Sequence, residues 1–159
     1  MGAKSACDRH AGPAGILVAY NPDRGFPVST TTVYRILIVD DDEDARVLLK
    51  RALGKSPLPL EVAAAADGLQ ALELVARDRP HAVITDIMMP RMNGFDLCAA
   101  LRTDPATAGI PVIMVTALES EHDRERGLAV GANEYLTKPF SWGSLSARLA
   151  ELLSEVYGR

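Results

Sequence analysis

HAVITDIMMPRMNG, residues 81–94, is the stretch whose reading decides how this chain folds. An apolar run, Ala82 to Thr85, ends on a carboxylate, Asp86, and a flexible apolar patch follows before Pro90 and the turn pair Asn93-Gly94. A short apolar run bounded by turn residues reads as a buried strand. A carboxylate is out of place at the end of a strand inside a core. It is in place at the C-terminal edge of a parallel sheet, where open α/β proteins gather their reactive groups.

Working outward, Arg35 to Val39 (RILIV) is a second β-rich run, the first buried strand of the domain. The acids Asp40 to Asp44 then open a helical segment that reaches Leu53 and stops at Gly54, with Val47, Leu48 and Ala52 at helical spacing. Pro57 and Pro59 mark a loop before an alanine-rich strand, Leu60 to Ala66. After the Asp67-Gly68 turn comes a helix from Leu69 to Arg77, with Leu69, Leu72 and Val75 on one face. Beyond Asn93-Gly94 the spacing predicts a helix over 95–102, a strand over 111–116 (PVIMVT), a charged helix over 118–130 ending at Gly131, and a short strand over 133–137. Lys138-Pro139-Phe140 follows, and an amphipathic helix over 141–157 carries Leu145, Leu149, Leu152 and Val156 on its apolar stripe. The β-α unit repeats five times with short connections, which predicts an α/β fold: a five-stranded parallel sheet with helices on both faces.

The totals bound the function. The 159 residues suffice for one domain with a proper core. A net charge of −4 and no basic stripe speak against direct nucleic-acid binding. Cys7 and Cys98 sit in neither a disulfide framework nor a zinc-ligand spacing, and Cys98 reads as a small core residue. No apolar stretch approaches the roughly 20 residues of a membrane span. The run from Ala14 to Tyr20 is too short for a secretory signal, and Ala6 stands where a myristoylation motif needs Ser or Thr. The expectation is a cytoplasmic protein without a membrane partner. Residues 1–32, with Gly12-Pro13, Asn21-Pro22 and Ser29 to Thr32, sustain no helical or strand period and are expected to form a disordered extension. Residues 33–157 form the domain, and with only Gly158 and Arg159 beyond it, a stand-alone domain is expected.

Four strands finish in polar groups: the first in Asp40-Asp41, the third in Asp86, the fourth in Thr116, the fifth in Lys138. Parallel strands deliver their C-terminal ends to one edge, so these residues converge. Two carboxylates about 4 Å apart repel by roughly 4 kcal/mol at an effective dielectric of about 20. A divalent cation relieves that repulsion, and oxygen ligands suit Mg²⁺. Mg²⁺ and Lys138 would offset charge on a transferring phosphoryl group, Thr116 would donate a hydroxyl to it, and Asp86 would be the nucleophile. Singly, each residue has a plainer reading: helix capping for Asp40 to Asp44, a loop cap for Asp86, a satisfied strand hydroxyl for Thr116, a solvated cation for Lys138. Their joint occurrence at successive strand ends is what the plainer readings do not explain.

The motifs ILIVDDDEDAR, VITDIMMPRMNGFDL, IPVIMVTAL and GANEYLTKPF resemble the receiver domain of two-component response regulators over about 33–156. The resemblance implies a flavodoxin-like doubly wound fold of strand order 2-1-3-4-5 with five helices. It implies Asp86 as phosphoacceptor, Asp41 and Asp86 as direct Mg²⁺ ligands with the backbone carbonyl of Met88, and Asp40 acting partly through water. Thr116 and Lys138 would bind the phosphoryl group, the Lys138-Pro139 bond would be cis, and Tyr135 would fill the aromatic switch position with Thr116. The implied partners are a sensor histidine kinase or histidine phosphotransfer protein, a downstream protein target, and a second copy of the chain on phosphorylation. The output surface would lie on the fourth helix, fifth strand and fifth helix, including Glu119, His122, Arg124, Tyr135 and Trp142. From the residues themselves, Met88 and Leu118 should flank the phosphoryl group and shield it from water, predicting slow dephosphorylation. Two alternatives are a Mg²⁺ phosphatase of the haloacid-dehalogenase type, for which Asp40-x-Asp42 supplies a superficial first motif, and an interaction module independent of phosphorylation.

Overall fold

The computed structural model describes residues 16–20 and 27–158. Five strands form one parallel sheet: β3 (Tyr34–Val39), β4 (Leu60–Ala65), β5 (Ala82–Thr85), β6 (Val112–Thr116) and β7 (Glu134–Thr137), in the order β4-β3-β5-β6-β7. Counted from the first strand of the domain this is the expected order 2-1-3-4-5. Five helices connect and follow these strands: α1 (Glu43–Gly54), α2 (Gly68–Arg77), α3 (Gly94–Thr103), α4 (Glu121–Ala129) and α5 (Trp142–Tyr157). Each begins on a side chain that caps its first turn: Asp42, Asp67, Asn93, Ser120 and Ser141 accept from backbone N–H groups two or three residues on.

Strand alternation divides the core between the two faces of the sheet. Leu37, Val39, Val83, Val112 and Met114 join residues of α2 and α3, including Ala71, Val75, Leu97 and Leu101. Ile36, Ile38, Ile84, Ile113 and Val115 join Leu49 and Leu53 of α1 and Leu145, Leu149, Leu152 and Leu153 of α5. A strand buried on both faces reads as a continuous apolar run, which is why β5 and β6 are buried at every position.

Three helix faces differ from the sequence expectation. On α1, Val47 and Leu48 are exposed, at 43% and 54%, and Leu49 and Leu53 are the buried pair. On α2, Leu69 is 40% exposed, and Gly68, Ala71 and Val75 turn inward. On α5, Leu153 takes the place expected for Val156, which is 43% exposed. An apolar run longer than one face leaves the choice of face to the neighbouring element, and the sheet takes the residues that seat against its strands.

Upstream, β1 (Ile16–Tyr20) and β2 (Pro27–Thr32) pair as an antiparallel two-stranded sheet of their own. This departs from the disordered extension expected for residues 1–32. The β-branched run Thr30 to Thr32 in β2 favours extended backbone, a preference the Gly and Pro clusters around it obscured. The remainder of that expectation, residues 1–15 and 21–26, lies outside the described residues. Among the described residues, no helix is long and apolar enough to cross a membrane.

Candidate functional site

The C-terminal edge of the sheet gathers most of the residues picked out by sequence. Asp40 follows β3 directly and is 2% exposed, because its backbone N–H continues the ladder to the Ala65 carbonyl. Asp86 follows β5 in the same way, its N–H bonded to the Val39 carbonyl at 2.8 Å. Adjacent parallel strands thereby set the two carboxylates side by side, and Asp41 adds a third from the exposed start of the next loop. One oxygen from each of Asp40, Asp41 and Asp86 lies within 4.8 Å of the others, a group able to hold a metal ion.

Lys138 balances this charge. Its Nζ donates to Asp40 at 3.3 Å and to Asp86 at 3.4 Å. The lysine arrives there because its backbone N–H bonds the Thr116 carbonyl at 2.8 Å, extending the β6–β7 pairing by one step. Its peptide bond to Pro139 is cis. Burial pushes the Asp40 carboxyl above its ordinary range, against the Asp42 N–H and Lys138, which pull it down. Burial opposes the charge of Lys138 as well, but the coulombic pull of Asp86 and Asp40 wins and its pKa is raised. Three carboxylates with one lysine form a hard, oxygen-rich and under-neutralised donor set, and the chemistry fits Mg²⁺.

Thr116 ends β6 fully buried, and its Oγ1 accepts from the Leu118 N–H at 3.3 Å. Met88 lies two residues past Asp86 with its side chain 65% exposed. Tyr135 is 1% exposed and donates its hydroxyl to the Leu118 carbonyl at 2.9 Å. It therefore sits inside the molecule and is no part of the surface it was expected to share with Glu119, His122, Arg124 and Trp142, which are exposed. The physical reason is Gly127 of α4, whose missing side chain leaves the slot that the ring fills.

Several residues of this edge escaped the sequence reading. Arg46, in the first turn of α1, donates Nη1 to the Asp40 carbonyl at 2.7 Å. Gly94, read only as a turn residue, lies so close to Asp86 that a Cβ would collide with the Asp86 carbonyl oxygen. Asp67, read as a turn, is buried and paired with Arg91. A helix-start carboxylate and a Gly after a turn were visible as signals, but their partners lie more than twenty residues away in sequence or across the backbone.

With this geometry in place, comparison with known proteins is informative. Residues 36–150 match the family model of the response regulator receiver domain, and the chain belongs to that family. It is 44% identical over 119 residues to the response regulator MprA of Mycobacterium leprae, an alignment covering 75% of this chain and 50% of that protein. The chain thus spans about half the length of the curated relatives it matches. Among solved structures it resembles the signal receiver domain of a histidine kinase from Syntrophus aciditrophicus, with a TM-score of 0.73, 32% identity, and coverage of 79% and 94% of the two chains. It also resembles the chemotaxis response regulator CheY4 of Vibrio cholerae, with a TM-score of 0.69, 33% identity, and coverage of 76% and 99%. The fold, a flavodoxin-like doubly wound sheet, is the one these neighbours share.

Proposed function

We propose that Asp86 accepts a phosphoryl group from the phosphohistidine of a sensor histidine kinase or phosphotransfer protein, in a Mg²⁺-dependent step. The observation that carries this reading is Lys138 spanning Asp40 and Asp86 beside the three-carboxylate group. Asp41, Asp86 and the Met88 carbonyl would hold Mg²⁺, with Asp40 acting partly through water. Bound there, the ion would supply charge neutralisation at the phosphoryl oxygens. The Asp86 carboxylate attacks phosphorus, the P–N bond breaks, and Lys138 and Thr116 bind the phosphoryl oxygens. Nothing in the site favours the haloacid-dehalogenase alternative, whose nucleophile would be Asp40. That carboxylate is the more deeply buried of the two, its side chain 3% exposed against 14% for Asp86. A module independent of phosphorylation would carry these crowded acids to no purpose.

Output on this reading passes by protein–protein contact or phosphorelay in the cytoplasm, through the exposed face of α4 and α5 or a second copy of the chain, with Tyr135 and Thr116 as the switch. Met88 and Leu118 offer no side-chain hydrogen bond to an attacking water, so the phosphoryl group should be long-lived. Incubation with an acyl phosphate and Mg²⁺ should add one phosphoryl group by intact mass, and chelation or Asp86→Asn should abolish it. Full labelling of Asp86→Asn would overturn the assignment. A phosphoryl lifetime of seconds, unchanged or lengthened by Met88→Asn, would overturn the shielding.

A further inference from the structure

The loop between β5 and α3 carries a feature that the phosphoryl chemistry above does not use. Arg91 has φ of +65°, the one non-glycine residue in left-handed conformation among the described residues. Only a few per cent of such residues adopt it, and Arg is not among the types enriched there. Something must hold it. Its guanidinium donates Nε to Asp67 Oδ2 at 2.9 Å, and Nη2 reaches the same oxygen. Asp67 is itself buried and fixed, since its other oxygen accepts the Gln70 N–H at 2.9 Å as the cap of α2. The Gln70 N–H first and Arg91 second hold the Asp67 carboxyl below its ordinary range, so it is a firm anion.

A second tether runs beside the first: the Gly68 N–H donates to the Met92 carbonyl at 3.3 Å. At the far end of the loop the Gly94 N–H donates to the Ile87 carbonyl at 2.9 Å. Met88 lies between these fixed points. A loop that offers a backbone carbonyl to a cation cannot adjust a side-chain rotamer to reach it. Its affinity depends on where the main chain is held.

We propose that the Asp67–Arg91 pair is a positioning device for the Mg²⁺ site, holding the 87–93 loop so that the Met88 carbonyl is presented to the ion. The inference rests on the assignment of that carbonyl as a ligand under the proposed function. Arg91 is 60% exposed at its side chain. Asp67 is only 7% exposed at its side chain, so removing Arg91 also leaves a buried carboxylate without its partner and lowers stability. The positioning role is therefore read in the metal affinity of variants that remain folded at the titration temperature. Groups that orient metal ligands typically change affinity about 10- to 100-fold when removed, and the lower end applies to one carbonyl among several ligands.

The test is Mg²⁺ binding by titration calorimetry without a phosphodonor, on wild type, Asp67→Asn, Arg91→Asn and the double variant. Asn at 67 keeps the helix cap and removes the charge, and Asn at 91 tolerates the left-handed backbone. The expected result is about tenfold weaker Mg²⁺ binding in each single variant. The double variant should be no weaker than either single, because the two residues act as one unit. Thermal midpoints establish that each variant is folded at the titration temperature. Single variants within about twofold of wild type, or losses that multiply in the double variant, would overturn the proposal. If Asp67→Asn fails to fold, Arg91→Asn decides alone by the same criterion. A wild type that takes up no Mg²⁺ would instead overturn the metal chemistry on which the proposal rests.

Discussion

Gly127→Ala tests how α4 is attached and what keeps Tyr135 inside. Gly127 is the one buried residue of a helix otherwise made of polar and exposed positions. A Cβ there would lie 2.8 Å from Tyr135 Cδ2, 3.2 Å from its Cε2 and 3.0 Å from Met114 Sδ. The methionine can yield, but the ring is 1% exposed and pinned through its hydroxyl to Leu118. Overpacking of a full site costs about 1–3 kcal/mol. Replacing Gly by Ala within a helix returns about 1 kcal/mol. The net expectation is destabilisation of roughly 0–2 kcal/mol, too near zero to interpret alone. The background Tyr135→Val separates the terms, since it removes the ring atoms that collide and keeps a strand-compatible residue. There Gly127→Ala should stabilise by about 1 kcal/mol, the helix term alone. The coupling between the two sites is then about 1–3 kcal/mol. Urea unfolding followed by far-UV circular dichroism and by Trp142 fluorescence reads all four proteins. Equal effects of Gly127→Ala in both backgrounds, within about 0.5 kcal/mol, would refute the claim that this glycine exists to admit the ring.

Other expectations follow from single contacts. Arg102 donates to the carbonyls of Ala108, Ile110 and Gly131 and to Asn133 Oδ1, so Arg102→Met should destabilise the fold by about 2–4 kcal/mol in urea unfolding, a loss that a surface arginine would not show. Gly94→Ala should lower the yield of folded protein or displace Asp86, because the atom it would meet, the Asp86 carbonyl oxygen, is backbone; normal stability together with normal Asp86 phosphorylation would contradict this. His81 accepts the Arg35 N–H through Nδ1 at 2.9 Å and packs edge-on against Tyr34 and Tyr157, and burial, then Arg35 and Arg79, lower its pKa against the opposing pull of Asp78. The folded state therefore favours neutral imidazole, and this contribution is complete above the unfolded pKa of about 6.5 and lost as pH falls below it. The urea midpoint should drop from about pH 7.5 to about pH 5.5 by more in wild type than in His81→Gln, and equal drops would sink the idea.

Much of this architecture was legible because it rests on patterns that local chemistry enforces. The runs ILIV, AVIT and VIMV are buried on both faces, and the polar groups that close them, Asp40, Asp86 and Thr116, share one edge because the strands are parallel. What was not legible depends on partners distant in sequence. Val47 and Leu48 match a helical apolar stripe as well as Leu49 and Leu53 do, and only the sheet beneath α1 chooses between them. Tyr135 was placed on a surface by the family resemblance, yet α4 covers it with a glycine that no periodicity marks. Arg91 gave no signal, since nothing local announces that a left-handed arginine will find Asp67 across the loop.

The charges at the strand ends suggest how the domain could respond to its own chemistry. Lys138 stands almost equally far from Asp40 and Asp86, at 3.3 and 3.4 Å, so neither carboxylate owns it. Asp40 is nearly sealed from water, whereas Asp86 is only partly covered, its side chain 3% against 14% exposed. On the proposed reading, phosphorylation replaces the single negative charge of the Asp86 carboxylate with a phosphoryl group carrying about 1.5–2, a gain of at most about one negative charge, on the Asp86 side alone. The balance then tips towards Asp86, and the lysine leaves the more deeply buried partner. Lys138 carries the backbone N–H that binds the Thr116 carbonyl, and Thr116 in turn holds the Leu118 N–H, whose carbonyl receives Tyr135. A small displacement of one cation is thus linked through three hydrogen bonds to the ring that supports α4. On the proposed reading α4, whose one buried residue is Gly127, would be the element placed to move.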